Sequence, residues 1–297
     1  MKRTRKSKLK KVDAILTADF HLRNDVPICR TDDFVEAQWR KVDFVRALQK
    51  EYDCPVLHAG DLFNHWKPSP FLLTMTIRHL PDQFYSIYGN HDLPQHNILR
   101  GEKSGLHTLW ESGKVKLLSG THWETEFKKE DVLLLSGKTV LLRHLMTWVG
   151  KLPWPDCKDP QAGYVLKKNQ VDLLLTGHNH QAFTVQDGKR LLVNPGALTR
   201  QTADKDEDSP RVYLWHAESN TVTPVYLPYE EGVVSRKHID RIDVRSSRIS
   251  AFVERLQQDW DVGIAFEENM ETFLSTNNIH PSIIQIVRDV MDDAIVE

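Results

Sequence analysis

The chain has 297 residues, is 40% hydrophobic and is nearly neutral, with 39 Lys and Arg against 41 Asp and Glu and a formal charge of -2. That is enough apolar sequence for one large domain, or one large and one small. The charge balance excludes nucleic-acid binding through overall positive potential, so a polyanion would have to be held locally. Cys29, Cys54 and Cys157 are odd in number and widely spaced, which excludes a disulfide framework or a zinc ribbon and fits a reducing cytoplasm. No run approaches bilayer length, so no membrane role is expected.

Residues 1–11 carry seven Lys or Arg and are expected to form a disordered basic tail. The apolar run 12–18 is too short for a secretion leader and contains Asp13, so it is expected to be a buried strand. Over 34–49, Val35, Trp39, Val42, Val45 and Leu48 recur at steps of three or four, which is helical, with Thr31, Asp32 and Asp33 as capping candidates. A strand at 55–59, a helix near 69–80 and a strand at 84–88 continue an alternation typical of parallel α/β layers.

From 115 onward the elements are short strands, at 115–118, 132–135, 139–142, 171–175, 183–186, 191–194, 212–216 and 222–226, with one helix at 160–170. Asp187-Gly188 and Ser219-Asn220 mark hairpin turns, and 203–209 reads as a solvated acidic loop. The expected fold class is α/β: two mixed sheets packed face to face with helices outside, a four-layer α-β-β-α sandwich. Helical periodicity at 247–260, 266–274 and 281–296 predicts a small C-terminal helical appendage. The expected domains are thus the tail 1–11, a catalytic domain 12–230, and a helical cap or partner-docking segment 231–297.

Five polar strings stand out, four of them directly after an apolar run: Asp19-Phe20-His21, Gly60-Asp61, Gly89-Asn90-His91-Asp92, His144, and Gly177-His178-Asn179-His180. Two divalent ions roughly 3.5–4 Å apart need one carboxylate that bridges them and oxygen or imidazole ligands on either side. One-residue spacing at a strand end lets Asp19 and His21, or His178 and His180, converge on one ion. Asp61 occupies the bridging place on the next strand. Taken singly, most of these strings are ordinary: a Gly-Asp is usually a turn, and a lone His after an apolar run is more often structural. It is their joint occurrence that points to metal chemistry.

In this order the strings resemble the calcineurin-like metallophosphoesterase superfamily, with its pattern D-x-H, G-D, G-N-H-D, H and G-H-x-H over residues 19–180. The resemblance implies that Asp19, His21, Asp61 and His180 hold one metal, and that Asp61, Asn90, His144 and His178 hold the other. It implies further that His91 contacts the phosphate and acts as acid or transition-state stabiliser, oriented by Asp92, so that both count as catalytic. Phosphoprotein phosphatases of the superfamily usually show G-D-x-x-D-R-G and G-N-H-E, which this chain lacks.

Three phrases are similar to SbcD-type DNA exonuclease subunits: Gly60-Asp61-Leu62-Phe63 with Lys67-Pro68-Ser69, Gly89 to Pro94, and Asn194 to Arg200. That similarity implies two divalent ions, Mn2+ first with Fe2+, Zn2+ or Mg2+ as alternatives, and DNA as substrate in repair, recombination or phage DNA metabolism. It also implies an SbcC-type coiled-coil ATPase or a second copy of the chain as partner. Asn64, His65, Lys67 and Arg200 are the expected substrate contacts, with Trp66, Arg100, Trp148, Lys151 and Trp154 near them. One departure is Asn64, where related repair nucleases often place a second catalytic histidine; His65 and His96 are the substitutes at hand. The alternative is a small-molecule phosphodiesterase or pyrophosphohydrolase on the same fold.

Overall fold

The structure, a computed structural model, describes residues 11–118, 132–205, 208–237 and 279–294, together with 239, 270 and 273–277. In chain order the elements are β1 (Ala14–Thr17), α1 (Phe34–Tyr52), β2 (Val56–His58), α2 (Pro70–His79), β3 (Phe84–Ser86), α3 (Gly105–Glu111), β4 (Lys116–Leu117), β5 (Leu133–Leu135) and β6 (Lys138–His144). They continue with α4 (Ala162–Lys168), β7 (Leu173–Gly177), β8 (Phe183–Asp187), β9 (Arg190–Asn194), β10 (Arg211–His216), β11 (Thr221–Tyr226) and α5 (Pro281–Ala294). The contact clusters fall into two units, 1–238 and 239–297.

Two mixed sheets form the first unit, one in the order β11-β10-β1-β2-β3-β4 and one in the order β5-β6-β7-β9-β8. Strand alternation sorts their side chains into layers. Ile15, Val56, Val212 and Leu214 face outward into a core shared with Trp39, Val42 and Val45 of α1, Leu72 of α2 and Leu109 of α3. Their neighbours Ala14, Leu16, Leu57, Tyr213 and Trp215 face inward, into a core shared with Val140, Leu142, Leu173, Leu175 and Val193 of the other sheet. On its far side that second sheet turns Leu141, Leu174 and Leu192 to Val165 and Leu166 of α4. The four-layer α-β-β-α sandwich expected from the sequence is therefore the fold.

Helix starts follow side-chain caps, which satisfy backbone N–H groups that have no partner inside the helix. Asp33 accepts from Glu36 N at 3.0 Å, Ser69 from Leu72 N at 3.1 Å and Ser104 from His107 N at 3.1 Å. The last of these starts α3, a helix absent from the sequence expectation: seven residues give too few turns for a periodic pattern, and only Ser104 signals it.

Residues 233–235 pair with 29–31, through Thr31 N to Val233 O at 3.0 Å and Ser235 N to Cys29 O at 2.6 Å. The first unit thus runs past the boundary expected at 230. The basic tail 1–10 and the helix expected at 247–260 lie outside the described residues, as does most of 266–274. In the second unit α5 is described, and it presents Ile283 and Ile286 to solvent. No helix among the described residues is long and apolar enough to cross a membrane.

Candidate metal centre

β1, β2 and β3 run parallel, as do β6, β7 and β9, so the segments leaving their C-terminal ends gather at one edge of each sheet. Asp19 and His21 follow β1, Gly60 and Asp61 follow β2, Gly89 to Asp92 follow β3, His144 ends β6, and His178 and His180 follow β7. Asp19, His21, Asp61 and His178 all have positive φ, between 46° and 76°, where a side chain costs about 1 kcal/mol or more. Backbone bonds hold these turns: Asp19 N to Gly60 O at 3.1 Å, His21 N to Asp61 O at 3.0 Å, and Leu198 N to Asp19 O at 3.1 Å. Strain of this kind persists where the surroundings over-determine it.

All seven expected ligands meet. Asp61 Oδ2 stands 3.1 Å from His144 Nε2 and 3.5 Å from His21 Nε2, so one carboxylate oxygen faces both halves of the cluster. On the first side His21 Nε2 lies 3.0 Å from His180 Nε2 and 3.8 Å from Asp19 Oδ1, which is itself 4.0 Å from His180 Nε2. On the second side His144 Nε2 is 2.9 Å from Asn90 Oδ1 and 3.1 Å from His178 Nδ1, and the last two are 2.9 Å apart.

The protons explain why this arrangement calls for a cation. His144 Nδ1 lies 2.8 Å from Ala59 O, which can only accept, so Nδ1 donates and Nε2 presents a lone pair. That nitrogen faces a carboxylate oxygen of Asp61 and the amide oxygen of Asn90, both acceptors, as well as His178 Nδ1. Burial disfavours the charged form of His144, yet Asp61 and Asp19 outweigh it and push the pKa up to about 9. For Asp61 burial works upward, but the histidine charges of His144, His21 and His91 hold it well below the usual carboxylate range. Burial, joined by neighbouring histidines, keeps His178 and His180 down at about 4, neutral and ready to ligate. The donors are nitrogen and oxygen without thiolate, a set that fits manganese, iron or zinc.

His91 is exposed, with a ring nitrogen within 4.8 Å of ligand atoms on His21 and Asp61. The structure corrects how it is held. Its Nδ1 lies 2.9 Å from the backbone oxygen of Asn64, and its own N–H donates to Asp61 Oδ1 at 2.8 Å. Asp92, expected to orient it, is fully buried and accepts instead from three backbone amides, Phe63 and Gly89 at 3.0 Å and Leu62 at 3.2 Å. It ties the β2 loop to the β3 loop. Asn64 thus holds the His91 ring through its carbonyl, which no residue-type pattern reveals.

Among the other expected substrate contacts, His65 and Lys67 are exposed on the β2 loop, where Lys67 N donates to His65 Nδ1 at 3.2 Å. Arg200 is 3% exposed, lies over the Tyr229 ring at 4.9 Å and donates to Glu230 O. It is a wall residue and not the open phosphate contact expected. His96 is turned to Asn90 O at 3.0 Å. Trp154 is 45% exposed, whereas Trp148 uses its indole N–H on Asp159 O at 2.8 Å. Two asparagines missing from the expected set position the histidine loop: Asn179 donates to Thr147 O at 2.7 Å, and Asn194 donates to Asn179 O at 2.9 Å. Asn179 lies between two ligands and Asn194 ends β9, which was the signal available for both.

Among solved structures the chain is similar to a novel archaeal phosphodiesterase, with 13% identity over 72% of this chain and 99% of that one and a TM-score of 0.44. It is similar also to vacuolar protein sorting 29 from Cryptosporidium parvum (17% identity, 74% and 99% covered, TM-score 0.37) and to Vps29 from Entamoeba histolytica complexed with zinc (15%, 72% and 97%, 0.33). The family model of the calcineurin-like phosphoesterase superfamily domain matches residues 14–219, well over half of the sequence. The chain belongs to the calcineurin-like phosphoesterase superfamily.

Proposed function

We propose that this chain is a two-metal phosphodiesterase that cuts DNA, a manganese-dependent nuclease of SbcD type. The observation that carries the hydrolytic part is the single oxygen of Asp61 set between His21 and His144, with Asp19 and His180 on one side and Asn90 and His178 on the other. A pair of divalent ions held there would supply an activated water and positive charge for the phosphoryl oxygens. The chain's residues do the rest. The carbonyl of Asn64 accepts a hydrogen bond from His91 Nδ1; as imidazolium the ring carries its second proton on Nε2, gives it to the departing oxygen and is left neutral. Asp92 keeps the His91 loop in register with Asp61 through its three amide bonds.

DNA as the substrate is supported by the SbcD-like phrases around these residues, and by Lys67, Arg100, Lys151 and Trp154, which are exposed on the loops beyond the strand ends. Cations interleaved with aromatics suit a single strand or a frayed end. The test compares the manganese-loaded chain on single- and double-stranded linear DNA, a cyclic nucleotide and a bis-aryl phosphate. Release of nucleotides from DNA that is lost in Asp61→Ala and His91→Ala is the expected result. Intact DNA beside rapid turnover of the small esters would favour the small-molecule phosphodiesterase instead.

A further inference from the structure

Beside the metal centre lies a cavity of about 220 Å³, with His180 on one wall and Arg200, Lys205 and Arg211 among the others. A water takes up about 30 Å³, so the space admits a tetrahedral anion with several waters. Among the described lining residues Arg200, Lys205 and Arg211 are cationic and Asp208, which pairs with Lys205 at 3.3 Å, is the carboxylate; the Arg200 guanidinium is engaged by the Tyr229 ring and Glu230 O. Arg211 is committed elsewhere, with Nε on Ser209 O at 3.1 Å and its guanidinium 4.8 Å from the Tyr226 ring. Lys205, whose side chain is 13% exposed, pairs with the exposed carboxylates of Asp208 at 3.3 Å and Asp204 at 3.9 Å, so an anion entering the cavity competes with them for its ammonium.

The cavity is coupled rigidly to the centre. Gly196 has a φ of 75°, and a Cβ there would stand 2.7 Å from His180 O and 3.0 Å from Ala182 N. The turn after β9 is therefore pressed directly on the segment that carries His180, and Ala197 N donates to His180 O at 3.2 Å. A group bound in the cavity is held next to whatever His180 ligates.

We infer that this cavity is a second anion subsite, which takes the phosphate adjoining the one at the metal centre in a nucleic-acid strand, with Lys205 as its principal contact. The inference rests on the reading of the centre as a DNA phosphodiesterase. Successive phosphates are what a polynucleotide offers at fixed spacing, and Lys and Arg are the side chains that hold them. A nucleotide with one phosphate can fill only the centre, whereas one with two can fill both places.

Calorimetric titration of the full chain loaded with Mn2+ tests this, with thymidine 3′,5′-bisphosphate against thymidine 5′-phosphate as probes. The bisphosphate binds about tenfold tighter, the value of one charge-assisted contact; Lys205→Gln removes that advantage and Lys205→Arg keeps it. Equal affinity for the two probes in the unaltered chain, or an advantage that survives Lys205→Gln, overturns the subsite. Turnover of bis(p-nitrophenyl) phosphate by the same preparation reports on the centre separately. A bisphosphate preference without turnover leaves the subsite standing and rejects the hydrolytic reading, and turnover without the preference does the reverse.

Discussion

At Asp61, removing the negative charge while keeping the shape, as Asp61→Asn does, puts a neutral amide where two histidine nitrogens share an anionic oxygen. Metal content should fall below two per chain, and turnover should drop on the order of a thousandfold, which corresponds to several kcal/mol of lost charge stabilisation. His91→Ala should lower kcat by about 10²–10⁴ with the metals retained, because its ring acts on a proton. Asp92→Ala is expected to behave differently. Three buried amides lose their acceptor, and an unsatisfied buried group costs about 1–3 kcal/mol, so urea titration should show a loss of about 3 kcal/mol or more. That these seven residues come together was legible in the sequence because each is a polar residue set where an apolar strand stops. The partner of His91 was not, because the atom that holds it is a main-chain oxygen, and any residue at 64 would supply one.

Among the elements, Gly60 shows how closely the strand ends approach each other. Its φ is 88°, and a Cβ would stand 2.8 Å from Gly89 N and 2.9 Å from His144 Nδ1. Gly60→Ala should therefore cost about 1–3 kcal/mol and displace His144, seen as a lower melting temperature together with weaker metal binding. Asp172 pins the start of β7 to β6, accepting from Thr139 N at 2.9 Å and from its hydroxyl at 2.8 Å. Burial works to raise its pKa, but these bonds and Lys138 outweigh it and hold it below the ordinary 3.8. Folding thus favours the ionised form: the contribution is complete above the ordinary carboxylate value and is lost as pH falls through the lower folded-state value. Melting curves from about pH 2 to about pH 7 should show this acid limb, flattened in Asp172→Asn. All eleven strands among the described residues could be located beforehand, since alternation leaves one apolar face per strand. What escaped were elements too short for a period, such as α3, and the tight hairpin at Ser136-Gly137, where both residues have positive φ.

For the molecule as a whole, the three apolar cores lie in the layers, and the polar investment is concentrated at one set of strand ends. The sheets meet through Leu16, Leu57, Leu142 and Leu175, so the ligands of β1 and β2 face those of β6 and β7 only when the sandwich is closed. Metal binding and folding are therefore linked. Divalent ion at a hundred times its dissociation constant should add about 2.7 kcal/mol, and a chelator should remove that gain without unfolding the layers. The most direct measurement is metal analysis combined with electron paramagnetic resonance of the manganese-loaded chain. Two ions per chain with the signature of an exchange-coupled pair, lost in Asp61→Asn, is the result predicted. A single ion, or two that are magnetically independent, would contradict a centre built around one shared carboxylate oxygen.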